Sequence, residues 1–117
     1  TTGSQGFQYL WNAKPTAIFC GNDVIALGAV SEAAALGVRI PEDVTLVGFD
    51  NIPMSSWNIF GLTTVGVSLE EMAMTAVGLL TRRMDDTERA VQRVTMKPVL
   101  TLRSTHGRPR ALDAETH

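Results

Sequence analysis

Two pairs of neighbouring side chains are the best candidates for chemistry in this sequence. Asn22-Asp23 follows the apolar run "TAIFC", and Asp50-Asn51 follows "VTLVGF". An ionised carboxylate accepts hydrogen bonds, and an amide both donates and accepts. Side by side they suit the hydroxyls or ring nitrogens of a small polar molecule. Nothing beside them is equipped to cleave one. The glycine-rich G-x-G-x-x-G fingerprint and the phosphate loop are absent, as are His-x-x-x-His, cysteine pairs and Asp-x-Asp. No metal site and no cofactor are therefore expected. Cys20, the single cysteine, has no histidine near it in sequence, since the two histidines are His106 and His117. A Cys–His nucleophile is not supported, and a disulfide within one chain is excluded.

Each pair also has a plain structural use. Asn22 or Asp23 can cap a helix by accepting from its first free N–H groups. Asp50-Asn51 can simply form a turn. Trp57, in the loop 51–61, can stack on a ligand, close a local cluster or serve an interface. One enzyme-like alternative remains, in which Asp50 accepts a phosphoryl group. Such a site needs further carboxylates for Mg²⁺. Asp23 could provide one, but no lysine after a later strand is suitably placed.

The elements that must position these residues follow from local pattern. Ser4 can cap a short helix over 5–13, stopped by Lys14-Pro15. Residues 16–20 are short, apolar and bounded by Pro and Gly, as in a strand buried on both faces. A helix over 23–36 follows, with Leu27, Val30 and Ala34 on one face and Gly37 placed to end it. Residues 44–49 give a second strand without polar alternation. Strand, helix, strand at this spacing is the unit of a parallel sheet. Residues 62–67 are a third extended piece. Ser68 and Glu71 then open a helix to about Met84, striped with Leu69, Met72, Ala76, Leu79 or Leu80, and Met84. Residues 93–104 form a last strand, which Pro98 confines to an edge or a crossover. The polar stretch 105–117 is expected to be a disordered tail. In an open parallel sheet, ligands bind outside the carboxyl ends of the strands, where both Asn/Asp pairs fall.

Composition narrows the classes. The chain has 117 residues, 44% apolar and 19% charged, enough for one small domain or part of one. Ten basic against twelve acidic residues give a net charge of −2, and no basic cluster offers phosphate neutralisation. If the parent protein binds DNA, another part does the reading. No apolar run approaches the ~20 residues of a membrane span. The start lacks both a Met and the pattern of a signal peptide, so a piece of a longer protein is expected. A buried free thiol fits a reducing compartment.

Residues 15–51, "PTAIFCGNDVIALGAVSEAAALGVRIPEDVTLVGFDN", resemble the effector-binding domain of lactose-repressor-type (LacI/GalR) transcription regulators. The resemblance continues through "LTTV" and the following helix to "KPVLTLRST", where the family has its last strand and a characteristic Arg-[ES]-[ST]. It implies an α/β fold of the type I periplasmic-binding-protein kind, a parallel-sheet three-layer sandwich in each of two subdomains with ligand between them. Residues 4–104 would be the C-terminal portion of that domain, with the helix 69–84 belonging to the other subdomain, absent here. The resemblance makes Asn22 and Asp50 effector contacts, with Asp23 and Asn51 each a helix cap or a secondary ligand contact, the cap being favoured for Asp23. It makes Leu27, Val30 and Trp57 candidates for a homodimer interface, Trp57 reaching the cleft instead as a second possibility. The family often reads Arg-Gln-Pro where Gly66-Val67-Ser68 stand, so a ligand contact made by that glutamine is lost. The implied protein is a cytoplasmic regulator, usually a repressor, sensing a sugar or purine-like effector. It would touch DNA only through a helix-turn-helix outside this chain and would have no membrane partner. A transporter's solute-binding protein, with the same fold, is the alternative.

Overall fold

The computed structural model describes residues 2–111. Its first helix, α1 (Thr2–Trp11), starts earlier than the sequence suggests. Ser4 lies inside it rather than capping it, and its hydroxyl donates to the Gly28 carbonyl of the next helix at 3.2 Å. Gly3 and Gly28 meet at this crossing, where a Cβ on Gly28 would stand 3.1 Å from the Gly3 Cα. The missing side chains let the two backbones approach. Phe7 is buried and stacks on Trp11 with ring centroids 6.0 Å apart.

Strand β1 (Ala17–Phe19) leads into α2 (Asp23–Ala35), and β2 (Thr45–Phe49) follows. The helix ends at Gly37, whose φ of +71° is the left-handed conformation that terminates helices. Its buried face, Ala26, Leu27, Ala29 and Ala33, is mostly small, which lets α2 sit close to the sheet. Leu27 belongs to this core with Ile18, Val44, Leu46 and Leu62. As an interface residue it is corrected, because a side chain packed in its own chain's core offers no surface to a partner. Val30 is half-buried against the same core.

The sheet order is β1-β2-β3-β4, with β3 (Thr63–Gly66) parallel to β2 and β4 (Val99–Thr101) antiparallel to β3. Pro98 precedes the edge strand β4, where a missing donor does least harm. The link from β2 to β3 has a short 3-10 turn over Pro53–Ser56 and no α-helix. The register places Ile18, Leu46, Gly48 and Thr64 on one face, and all are buried. On the other face, Phe19, Phe49 and Leu100 are 65%, 40% and 56% exposed. The α/β class and the parallel core of the sheet follow the sequence expectation. The described residues cover the sheet on one face only, so the third layer of the expected sandwich is not supplied by them.

The expected disordered tail gives way over residues 105–110. Thr105 is wedged between β2 and β3 at their amino ends. Leu46 N–H donates to its carbonyl (2.9 Å), and its hydroxyl donates to Leu46 O (2.6 Å) and accepts from Thr63 N–H (2.9 Å). Arg110 donates to the carbonyls of Lys14 (2.6 Å), Pro15 (2.9 Å) and Asp43 (2.6 Å) and lies over Trp11. Polar composition here reflects hydrogen bonding to strand ends rather than disorder. Residues 112–117 of the expected tail lie outside the described residues.

Helix α3 (Leu69–Asp85) starts on Ser68, whose hydroxyl accepts from Glu71 N–H at 3.2 Å. None of its residues is buried, and its apolar stripe stands in the open. The radius of gyration is 19.0 Å. A compact chain of this length has about 13 Å. No helix among the described residues is long and apolar enough to cross a membrane.

Candidate ligand site

β1 and β2 are neighbours, so their carboxyl ends bring Asn22-Asp23 and Asp50-Asn51 to one rim. β3 adds Gly66 and Val67 beside them. Asp50 is exposed, and its N–H donates to Val65 O at 2.7 Å. Its φ is +121° and that of Asn51 is +59°. Asn tolerates the left-handed region; Asp at +121° does not do so readily. Backbone held in such a region costs on the order of 1–3 kcal/mol and persists where surrounding contacts impose it, often at binding sites. Gly66 is part of the imposition. A Cβ there would fall 2.5 Å from the Asp50 carbonyl oxygen, so only glycine lets the kink seat against β3. Asp50, Asn51, Gly66 and Val67 line an open depression of about 460 Å³, joined by Pro53 and Leu69.

The cap that the resemblance gave to Asp23 falls to Asn22. Asn22, not Asp23, caps α2, its Oδ1 accepting from Ile25 N–H at 2.9 Å. That bond uses only the oxygen, and the Asn22 amide nitrogen donates to no other group among the described residues. Asp23 is fully buried. Its Oδ1 accepts from Thr64 Oγ1 (2.6 Å), and its Oδ2 accepts from Ser55 Oγ (2.6 Å) and Ile52 N–H (3.0 Å). A carboxylate so occupied neither caps the helix nor meets a ligand. It ties the loop after β2 to β3. The phosphoacceptor alternative loses its second carboxylate for the same reason. Among the described residues no group of three or more His, Cys, Asp and Glu is placed to hold a metal.

Asn51 is exposed, and its Oδ1 accepts from Arg103 Nη2 at 2.7 Å. Trp57 is not brought into the depression. It stacks on Phe60 at 6.5 Å and remains 54% exposed. Burial pushes the Cys20 thiol up to about 11, with the nearby Asp23 charge adding to the effect. Its thiolate is therefore scarce at neutral pH, which makes it a poor nucleophile.

Sequence reasoning missed Ser55, Thr64 and Arg103. Ser55 and Thr64 carry no local signal, because their partner lies on another element. Arg103 was visible only as part of the terminal Arg-[ES]-[ST] pattern, which says nothing about what the guanidinium touches.

Residues 2–106 match the periplasmic binding protein-like domain family. The chain is 37% identical over 94 residues to the HTH-type transcriptional repressor PurR of Aliivibrio fischeri, covering 80% of this chain and 28% of that protein. It is 43% identical over 93 residues to the PurR repressor of Pasteurella multocida, covering 78% and 27%. The chain thus spans about a quarter of the length of these curated relatives. Among solved structures it is similar to a LacI-family transcriptional regulatory protein from Corynebacterium glutamicum. There the TM-score is 0.75 and the identity 34%, over 93% of this chain and 42% of that one. It is also similar to a LacI family transcriptional regulator from Enterococcus faecalis, solved with bound ribose. The TM-score is 0.85 and the identity 29%, over 89% and 39%.

Proposed function

From a chain that belongs to the periplasmic binding protein-like family, in its LacI-type branch of transcriptional regulators, we infer an effector-sensing role in a bacterial repressor. The effector is a small polar molecule, a sugar or a nucleobase. Asp50 and Asn22 are its contacts from this chain. The observation that carries this reading is that both follow the carboxyl ends of adjacent parallel strands, with Asp50, though not Asn22, lining the depression and held in a costly backbone conformation. Hydrogen-bonding groups aimed at open space, with no catalytic partner, suit recognition. The role is that of a binding module, not an enzyme.

The rest of the mechanism belongs to the longer protein. Helix α3, unburied here, packs in a second subdomain, and ligand closes the cleft between the two. Val30 and the exposed Trp57 contribute to a homodimer interface. The effector shifts the dimer between two geometries only in so far as it binds them with different affinity. Contact with DNA is made by a helix-turn-helix elsewhere, consistent with this chain's net charge of −2. The protein works in the cytoplasm.

Calorimetric titration of the full-length protein with D-ribose, cellobiose, adenine and hypoxanthine tests the site. One class should bind, and Asp50→Ala should weaken it by about tenfold or more, the usual effect of losing a charged hydrogen bond. Asn22→Ser keeps a cap while removing the free amide, and should weaken it less. Undiminished binding in both variants refutes the site assignment.

A further inference from the structure

The Asp50–Asn51 kink is gripped from two directions. On one side Asp23 holds the next residues, Ile52 through its N–H and Ser55 through its hydroxyl. On the other stands Arg103, just past β4. Its Nη2 donates to Asn51 Oδ1 (2.7 Å), its Nη1 donates to Leu62 O (2.8 Å), and its backbone N–H donates to Thr63 Oγ1 (2.9 Å). Two of these bonds, to Leu62 and Thr63, fix this arginine to the start of β3 and leave Nη2 to hold Asn51. Two donors on one planar group, each reaching a different acceptor, are an arrangement that arginine supplies and lysine does not. The Asp50 carboxylate has no hydrogen-bond partner of its own among the described residues. Its direction is therefore set by the backbone around it.

The geometry assigns Arg103 the part of a positioning residue. By holding the Asn51 side chain it keeps Asp50 at φ +121° and its carboxylate aimed at the rim. The assignment rests on the reading of Asp50 as an effector contact. Released from Arg103, residues 50 and 51 relax toward ordinary φ values, and the carboxylate swings away. Arg103 touches no ligand itself.

The test uses the full-length protein with Arg103→Gln, Asn51→Ala and the double variant. Amide exchange at Asp50, whose N–H donates to Val65 O, reads the kink without any ligand. In either single variant it should quicken about tenfold, and affinity for whichever of D-ribose and adenine the unaltered protein binds should fall about tenfold. The double variant should lose clearly less than the two single losses summed, because both changes cut the same contact. Additive losses would make Arg103 a general support of β3 through Leu62 and Thr63, overturning the assignment. So would Asp50 exchange that stays unchanged in Asn51→Ala, a variant that leaves the arginine's other bonds intact. If neither probe binds the unaltered protein, the ligand reading fails, while the exchange data still decide whether Arg103 holds the kink.

Discussion

Asp23 is the residue whose removal should be felt most. It is fully buried and accepts from Ser55 Oγ, Thr64 Oγ1 and Ile52 N–H, and Ser55 and Thr64 are themselves fully buried. Asp23→Ala strands all three donors. An unsatisfied buried donor costs about 1–3 kcal/mol, and hydroxyls can rotate toward other acceptors, so the sum is about 3–5 kcal/mol. That is a large share of the about 5–15 kcal/mol that holds a domain folded. Asp23→Asn behaves differently. Its oxygen keeps Ser55 and Ile52, and its NH₂ donates to a Thr64 hydroxyl turned to accept, so only the charge assistance is lost, about 1–2 kcal/mol. Urea denaturation followed by tryptophan fluorescence measures both. Trp57 lies two residues beyond Ser55, in the very loop that Asp23 holds, so its emission should also shift in the folded state of Asp23→Ala. A cost for Asp23→Ala within about 1 kcal/mol of zero would refute the reasoning, as would an Asp23→Asn variant as unstable as the alanine.

Two further outcomes follow from the same contacts. Gly66→Ala must displace the Asp50 carbonyl, and should cost about 1–3 kcal/mol in a thermal melt while weakening effector binding in calorimetry. Cys20 should resist iodoacetamide in the native protein at pH 8 and react fully once unfolded. Its thiol pKa is raised from 9.0 to about 11 in the fold, so its contribution to stability is intact below pH 9 and is lost as pH rises through 11. Denaturation midpoints across that range should fall less steeply in Cys20→Ala.

The elements were legible where local rules decide them. The αL glycine at 37, the Ser68 cap and the apolar runs at 17–19 and 45–49 are written in neighbouring residues. The rim was legible too, because strand ends and parallel topology follow from the same runs. What could not be read was the division of labour within Asn22-Asp23. Both can cap, and the choice depends on Ser55 and Thr64, 32 and 41 residues away, which bury the carboxylate and leave the cap to the amide. Thr105 was misread for a related reason. A polar residue in a polar stretch looks like tail until the unpaired amino end of β2 that it satisfies is known. Leu27 shows the converse limit. Helical periodicity puts it on an apolar face, but only the sheet beneath decides whether that face is core or contact.

The Thr105 wedge has a consequence for how the chain reaches its fold. Leu46 and Thr105 are 59 residues apart, and Arg110 reaches Lys14 across 96. The amino ends of β2 and β3 stay unsealed until Thr105 has been made, 59 residues after Leu46, so a growing chain exposes unpaired strand ends over that interval. Contacts of such sequence separation slow folding, because the loop must close before it gains anything. A nascent chain in that condition is open to mispairing with its neighbours. The closing step falls to a short polar segment, so the protein's yield in the cell should depend on how soon that segment docks as well as on how well its core packs.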